Sequence, residues 1–388
     1  MIERTLFSPE HDAFRATVRA FIAAELTPGH AQWEEDGQVP RAVWQKAGAV
    51  GMLCCATAET YGGAGADFLF NVVVIEELAR AGISGPGFAQ HSDMVATYIE
   101  RFASEELKHR WLPAMVSGEK IGAIAISEPA AGSDVRGIQT AMRRDGNHYV
   151  LRGQKTYISN GQLCDFALVV AKLDPTGPRS PVSIVLVESD RPGFVKGRRL
   201  RKLGLKAQDT SELFFDDVRV PASNLVGKEH EGLTYLTRNL AHERLVQAIR
   251  GIVVSEVTIE QTVDYTVQRK AFEATIADFQ NTQFKLAELR AATLAGRVFV
   301  DRCIALQMEG RLAPVDAAAA KLMITELQCR VTDECLQLHG GAGYMWESPV
   351  CRAFADARVM KIGGGAVEVM KQIIARDMFK GKGPKAPA

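Results

Sequence analysis

Apolar residues recur every three or four positions in the first third of the chain, the spacing of one face of an α-helix. The first such stripe has five members: Phe14, Val18, Phe21, Ile22 and Leu26. Ser8 followed by Pro9 and Glu10 is typical of a helix start, because serine caps, proline presets φ and acidic residues suit the first turn. Similar patterns over 71–81 and 105–116 predict further helices.

From Ile121 the pattern changes to short runs of β-branched and aromatic residues separated by glycines, which is typical of strands. Asp145-Gly146 lies between two of these runs and is a strong hairpin signal. No helical pattern alternates with the runs, which argues against a parallel dinucleotide-binding sheet. The residues up to about Val220 are therefore predicted to form a compact, largely antiparallel β domain.

The last third of the chain returns to helical patterns. No proline occurs between Pro221 and Pro314, and the stretch is rich in residues that favour long helices. Another helix is predicted to start at Pro314 and to stop at the glycines that follow His339. A final helix is predicted from about Val367 to Lys380. The order of structure is therefore α, then β, then α.

Composition narrows the possible functions. Lysine plus arginine equals aspartate plus glutamate at 46 each, so net charge provides no attraction for nucleic acid. Apolar runs are far shorter than the roughly 20 residues that a membrane span needs. The seven cysteines lack the spacings of a zinc site, so we expect no metal and reduced, mostly buried thiols. The N-terminal residues include acidic side chains and lack the apolar core of a signal peptide, which predicts a cytoplasmic location.

Two short matches to known motifs are set aside. His339-Gly340-Gly341 is similar to an esterase oxyanion loop, but the chain has no GxSxG nucleophile elbow to serve it. The glycines within 62–65 are similar to a phosphate-binding loop, but no strand precedes them and no GK[ST] follows. We expect an ordinary turn there.

Two other segments offer hydrogen-bond donors, and the second also contains an aromatic residue. AIAISEPAAGSD at 123–134 runs from a strand into a turn whose N–H groups and hydroxyl suit flavin carbonyls or a pyrophosphate. KTYISNG at 155–161 places Tyr157 and Ser159 two residues apart on one strand, hence on the same face. Taken singly, the first could be an ordinary β-turn and the second an edge strand with an incidental tyrosine.

Together these segments resemble the flavin-binding core of the acyl-CoA dehydrogenase family. The resemblance extends over almost the whole chain through four further motifs in the family's order: KLGLKAQDTSELFFDDVRVP at 202–221, QRKAF at 268–272, QLHGGAGYMWE at 337–347 and EVMKQIIARD at 368–377. Within the family the chain is most similar to the long-chain branch.

The resemblance implies a fold of three domains, with an N-terminal helical domain at 1–120, a middle antiparallel β-barrel-like domain at 121–228 and a C-terminal four-helix bundle at 229–388. It implies FAD bound between these domains and a neighbouring subunit, in a homotetramer built as a dimer of dimers. The implied substrate is an acyl-CoA, and the implied electron acceptor is an electron-transferring flavoprotein.

The same resemblance assigns site residues by their motif positions. Contacts to the flavin and its phosphates fall on Ile126, Ser127, Gly132, Ser133, Tyr157, Ile158, Ser159, Ala366 and Glu368. Contacts to the FAD of a partner subunit fall on Arg269, Phe272 and Gln280, with Gln337, Leu338, Gly340 and Gly341 on its adenosine half. Substrate contacts fall on Ser133, His242, Arg244, Gly364 and Gly365.

The catalytic base needs a separate argument. Most members of the family carry it as a glutamate in a turn before the final helix, and here that turn reads Gly363-Gly364-Gly365-Ala366. Gly364 cannot accept a proton. Glu243, in LAHERLVQA, matches the position at which the long-chain and isovaleryl-type branches carry a glutamate on a facing helix. The alternative for Glu243 is a solvated helix residue paired with Arg244 or a nearby lysine.

Two positions depart from the family's pattern. Ala366 replaces the usual threonine of the flavin-contacting turn, so one hydrogen bond to the flavin is expected to be absent. Glu273 replaces the usual glycine after Phe272, which bears on the geometry of the Arg269 segment.

The resulting hypothesis is FAD-dependent α,β-dehydrogenation of a fatty or branched acyl-CoA to the trans-2-enoyl-CoA. Glu243 would remove the α-proton, and the β-hydride would pass to flavin N5. Two alternatives stay open at this point. One is a flavin-dependent acyl-CoA oxidase that passes electrons to oxygen, and the other is a flavoprotein that binds acyl-CoA without catalysis.

Overall fold

The computed structural model describes residues 2–177 and 179–380, so the last eight residues of the predicted C-terminal domain lie outside the described part. The chain forms two compact units, Phe7–Asn239 in one and Met1–Leu6 with Leu240–Ala388 in the other. The N-terminal residues belong to the second unit, where the Arg4 Nε–H donates to an Asp301 carboxylate oxygen at 2.8 Å.

The first unit opens with six α-helices, as the apolar spacing predicts. They are α1 Pro9–Phe21, α2 Thr27–Asp36, α3 Arg41–Ala49, α4 Phe68–Arg80, α5 Ala96–Phe102 and α6 Glu105–Val116. The predicted stripe is buried from Val18 to Leu26 and continues through a π-helical turn that follows α1. Helix α4 begins three residues earlier than its pattern indicates, because the Asp67 carboxylate accepts the Leu69 N–H at 2.8 Å and caps it.

The rest of the first unit is one curled sheet. Its strands are β1 Gly122–Ala125, β2 Ala141–Asp145, β3 His148–Ser159, β4 Phe166–Leu173, β5 Val182–Glu188, β6 Phe194–Arg199 and β7 Thr210–Pro221. They lie in the order β1-β4-β2-β3-β7-β6, with β5 also paired to β4. The predicted hairpin is present, since Asp145 pairs with His148 across a turn in which Gly146 has φ of 58°.

The sheet is largely antiparallel, as predicted, but two of its pairings are parallel. Both β1 and β2 run parallel to β4, whereas the other pairings are antiparallel. Every residue of β4 is buried, and its sequence is a nearly continuous apolar run and not an alternation. That pattern is typical of strands covered on both faces, such as those of parallel sheets. The apolar run of β4 therefore indicated parallel neighbours, although the hairpin signal favoured an antiparallel sheet.

The second unit is mainly helical. Its helices are α7 Gly232–Gln268, from Leu240 onward, α8 Gln280–Met308, α9 Pro314–His339, α10 Pro349–Met360 and α11 Val367–Met378. Helix α9 begins and ends where predicted, at Pro314 and before Gly340, which has φ of 59°. It contacts α8, α10 and α11, and its apolar stripe lies in a core shared with α7. This position makes α9 the central helix of the unit.

The expectations about thiols, metal sites and membrane spans can be compared with the structure. All seven cysteines are free thiols and five are buried, as predicted. Burial raises the pKa of Cys55 and of Cys164 to about 12, so neither is a reactive thiolate at neutral pH. In residues 2–177 and 179–380, no cluster of side chains is arranged to hold a metal ion. No helix there is long and apolar enough to span a bilayer.

A small hairpin follows α7 and explains one departure from the family's pattern. Its strands, β8 Lys270–Ala271 and β9 Ala274–Thr275, are joined by the two-residue turn Phe272-Glu273. Phe272 has φ of 52° and Glu273 has φ of 63°, the left-handed region that a two-residue hairpin turn requires. Glu273 therefore keeps the geometry that glycine would give, at a cost in backbone strain.

Glu273→Gly is expected to stabilise the protein by about 1 kcal/mol, because glycine enters the left-handed region without a steric penalty. The measurement is the midpoint of thermal unfolding of the purified protein. Glu273→Ala is the matched control, since alanine removes the carboxylate but keeps the strain. Equal midpoints for the two variants would contradict the strain argument.

Candidate functional site

The first group of candidate residues lies in the turn that follows β1. Gly132 and Ser133 are exposed, and within the described residues their N–H groups donate to no protein acceptor. The turn is nevertheless closed at its start, where Glu128 and Ala131 exchange N–H to carbonyl hydrogen bonds of 2.8 and 3.1 Å. A side chain added at Gly132 would meet open space. The turn thus presents free donors on an ordered backbone.

The second group lies on β3, at a bulge between Lys155 and Ile158. Tyr157 has φ of 61° and is 69% exposed, and the Ser159 side chain is half-buried. The side chain of Ile158, between them, packs into the core of the sheet. Only its backbone can therefore contribute to a site formed by Tyr157 and Ser159. The Thr156 N–H donates to the Ser127 carbonyl at 2.9 Å, which joins the two groups.

A buried ion pair supports both groups. Lys155 Nζ donates to the Glu128 carboxylate at 2.8 Å and to the Ile126 carbonyl at 3.0 Å. The same carboxylate accepts the N–H groups of Gln139 and Thr140, at 2.6 and 3.0 Å. One ammonium and one carboxylate therefore tie the start of the turn, its end and the bulge together.

The ionisation of this pair follows from its burial. Burial lowers the pKa of Lys155 to about 8, against the charge of Glu128. Burial acts to raise the pKa of Glu128, but the Lys155 charge and the hydrogen bonds outweigh it and hold that pKa below its usual value. Sequence reasoning missed the pair, although both residues stand inside the two motifs it singled out.

The third group lies on α7 in the second unit. Glu243 is only 5% exposed, which does not fit the alternative of a solvated surface glutamate. His242 and Arg244 are buried beside it. Burial lowers the pKa of Arg244, against the charge of Glu243, so the guanidinium and the carboxylate act on each other. His242 Nδ1 lies 3.3 Å from the Gln307 side-chain nitrogen.

The turn Gly363-Gly364-Gly365-Ala366 meets the same face of α7. Gly364 has φ of 64° and Gly365 has φ of 96°. A Cβ built on Gly364 would collide with the amide of Gln247, which stands one helical turn after Glu243 and hence on the same face. Within the described residues, the N–H groups of Gly364, Gly365 and Ala366 donate to no protein acceptor. Gly364, one of three turn residues with a free N–H group, therefore lies at the side of α7 that carries Glu243.

The remaining candidates of the second unit fall on its hairpin and at helix ends. Arg269, Phe272, Gln280, Gln337, Gly340, Gly341 and Glu368 are exposed, whereas Leu338 and Ala366 are half-buried. Tyr265, one turn before Arg269, donates its hydroxyl to the His339 carbonyl at 3.1 Å, and the two rings stack at 4.2 Å. This contact brings the hairpin and the turn at Gly340 together. Phe272 is 92% exposed on a strained backbone.

These donor sets suit a flavin nucleotide. Free N–H groups and hydroxyls on an ordered turn fit ring carbonyls and phosphates, and an exposed tyrosine fits an aromatic ring system. Arginine beside an exposed phenylalanine fits a pyrophosphate and its adenine, because the guanidinium can pair two phosphate oxygens. A helical region, a curled sheet and a helix bundle with these groups define a class, the flavoproteins of α, β, α architecture.

Comparison with known proteins assigns the family within this class. Models of the acyl-CoA dehydrogenase N-terminal, middle and C-terminal domains match residues 8–119, 123–218 and 230–379. The chain is 48% identical to the mitochondrial long-chain specific acyl-CoA dehydrogenase of Sus scrofa, over 98% of this chain and 89% of that protein. The chain therefore belongs to the acyl-CoA dehydrogenase family, whose cofactor is FAD.

Solved structures agree with this assignment. An acyl-CoA dehydrogenase from Geobacillus kaustophilus is 45% identical with a TM-score of 0.95, covering 97% of this chain and 100% of that one. A glutaryl-CoA dehydrogenase from Mycobacterium smegmatis in complex with FADH2 is 29% identical with a TM-score of 0.90, covering 98% and 97%. The predicted three-domain architecture is confirmed.

Gly364→Ala is expected to destabilise the protein by about 1 kcal/mol from its left-handed φ alone. Displacement of the Gln247 amide should add about 0.5 kcal/mol or more, and this part should vanish in a Gln247→Ala background. The measurement is the thermal midpoint of both single variants and of the double variant. Equal losses from Gly364→Ala in the two backgrounds would mean that Gln247 does not occupy the space beside Gly364.

Proposed function

We propose that this protein catalyses the FAD-dependent α,β-dehydrogenation of a fatty or branched acyl-CoA to the trans-2-enoyl-CoA, with Glu243 as the base. One observation carries the proposal. Glu243 is buried on the face of α7 whose next turn fills the space beside Gly364. Most family members carry their catalytic carboxylate in that turn, where this chain has Gly364. In this chain a carboxylate, that of Glu243, lies instead on α7, the helix that meets the turn.

The chain's own groups have distinct tasks in this reaction. The Glu243 carboxylate accepts the α-proton of the thioester. A free N–H of the turn at 364–366 donates to the thioester oxygen, where negative charge develops as the proton leaves. Arg244 places a positive charge next to Glu243. The glycine at 364 removes the family's usual base and keeps the N–H.

The residues that would hold FAD are those of the first two groups and of the hairpin. When bound, FAD supplies the acceptor for the β-hydride. Gly132 and Ser133 would donate to its polar edge, and Tyr157 would cover part of its ring system. Arg269 and Phe272 would hold the FAD of a second copy. Ala366 lacks the hydroxyl of the family's usual threonine, so one hydrogen bond to the flavin is expected to be absent.

Glu243→Gln is expected to retain FAD but to lose the anaerobic bleaching of its absorbance by acyl-CoA, by at least about a hundredfold in rate, because a positioned base contributes that much or more. Stopped-flow absorbance of the FAD-loaded protein is the measurement. Glu260→Gln is the matched control, an exposed glutamate on the same helix, and it should bleach at the normal rate. Normal bleaching by Glu243→Gln would remove Glu243 from the mechanism.

The two alternatives gain no support. The non-catalytic reading depends on the absence of a base at Gly364, and the buried Glu243 supplies one. The oxidase reading would require electrons to reach oxygen, and no described residue favours it. The dehydrogenase proposal therefore stands alone.

Finer aspects of the proposal follow the resemblance. We propose a homotetramer, supported by large apolar side chains that the second unit leaves exposed, among them Phe272, Phe284, Tyr344 and Met345. We propose a long-chain acyl-CoA as substrate, the domain bounds given above, and an electron-transferring flavoprotein as the acceptor. The cytoplasmic location stays a prediction, because the relative from Sus scrofa is named as mitochondrial.

A further inference from the structure

A buried lysine stands in the central helix of the second unit, outside every motif that the sequence singled out. Lys321 lies in α9 among small residues, Ala317, Ala318 and Ala320, and its exposure is 0%. Its Nζ donates to the Gly365 carbonyl at 2.6 Å. A lysine at such a position costs free energy, because an ammonium leaves water for a mostly apolar interior.

The surrounding charges do not offset this cost. Burial and, to a smaller extent, the nearby charge of Arg244 lower the pKa of Lys321 to about 8, whereas Glu368 opposes the shift. Glu368 is exposed, so its attraction is screened by water. Two cations therefore stand close together in the interior. A methionine of similar length would fill the same space without these penalties.

The hydrogen bond has a defined effect on the turn. The peptide between Gly365 and Ala366 is planar and trans, so its carbonyl and its N–H point in opposite directions. When Lys321 holds the Gly365 carbonyl, the Ala366 N–H must point away from α9. Glycine at 364 and 365 gives this stretch more backbone freedom than other residues would. The Lys321 bond restrains the Gly365 carbonyl, while a Val369 N–H to Ala366 carbonyl bond of 2.9 Å and a Val367 N–H to Lys361 carbonyl bond of 3.1 Å anchor the end of the turn.

We propose that Lys321 is a positioning residue that orients the free N–H groups of Gly364–Ala366 toward the thioester oxygen of the substrate. The proposal rests on the proposed function, since it concerns the donors that serve the same carbonyl. Lys321 touches no reacting atom. It acts through the peptide whose carbonyl it holds.

The test compares the affinities of two ligands that differ only in the thioester carbonyl, so that the contribution of that oxygen to binding is measured separately. Two non-reactive ligands are titrated into the FAD-loaded enzyme by calorimetry. One is a thioester whose third chain atom is sulfur, so that no β-hydride is available. The other has the same chain, but its thioester carbonyl is reduced to CH2, so that no oxygen remains for the N–H groups to bind.

Lys321→Met is expected to weaken the thioester ligand at least about tenfold, which corresponds to the loss of one well-aligned hydrogen bond to a polarised oxygen. The ligand whose carbonyl is reduced to CH2 should bind to Lys321→Met within about twofold of its affinity for the wild-type enzyme. Lys371→Met is the matched control, an exposed lysine on α11 paired with Glu326 at 3.4 Å, and neither affinity should change. Lys321→Gln, which keeps an N–H donor, should lose less thioester affinity than Lys321→Met.

Each contrary outcome is decisive. Equal weakening of both ligands, or no weakening of either, would overturn the positioning role. If Lys321→Met does not fold, the same titration is made with Lys321→Gln, and unchanged selectivity for the carbonyl there would overturn it as well. Failure of the proposed function is a different result, since wild-type enzyme would then not be bleached by an oxidisable acyl-CoA.

Discussion

The backbone turn at 363–366 and the helix face that meets it impose the constraint on which the rest of this account depends. Gly364 adopts a left-handed φ, and the Gln247 amide lies where its side chain would be. A carboxylate cannot stand at 364 while this packing is kept. We therefore propose that the acid–base group comes from α7, where Glu243 is buried one turn before Gln247. The turn can offer a ligand the N–H groups of residues 364–366, which donate to no acceptor within residues 2–177 and 179–380.

Buried charge is the second theme of the structure. Lys155 and Glu128 are removed from water beneath the turn that follows β1, and Lys321 is removed from water beside the glycine turn. Each ammonium donates to a backbone carbonyl of a segment that carries site residues, Ile126 in one case and Gly365 in the other. Such groups are expensive compared with apolar residues of the same size. Their common geometry indicates that they hold irregular backbone in place where regular hydrogen bonding ends.

The sequence predicted much of this because its local signals agree with the fold. The α1 stripe, the Asp145-Gly146 hairpin and the ends of α9 depend on spacing, turn residues and caps, all of which are local. The family's motifs also located the candidate site. Parallel pairing of β1 and β2 with β4 was missed because it joins distant segments, and only the unbroken apolar run of β4 indicates it.

Other features could not be read from the chain at all. The left-handed φ of Glu273 contradicts its residue preference, and Lys321 in a helix of small residues has the sequence appearance of a solvent-exposed lysine. Gln247 acquires its role only when Gly364 is placed beside it. The resemblance supplied the position of Glu243, while its burial and the packing of its helix against the turn came from the structure.

Removal of the α-proton by Glu243 can be tested by hydrogen exchange, which requires no electron transfer. In D2O, the FAD-loaded protein should exchange the α-protons of the 3-thia thioester for deuterium, as followed by nuclear magnetic resonance. Glu243→Gln should exchange them at least about a hundredfold more slowly while binding the ligand normally. Exchange at the wild-type rate in that variant would contradict the account.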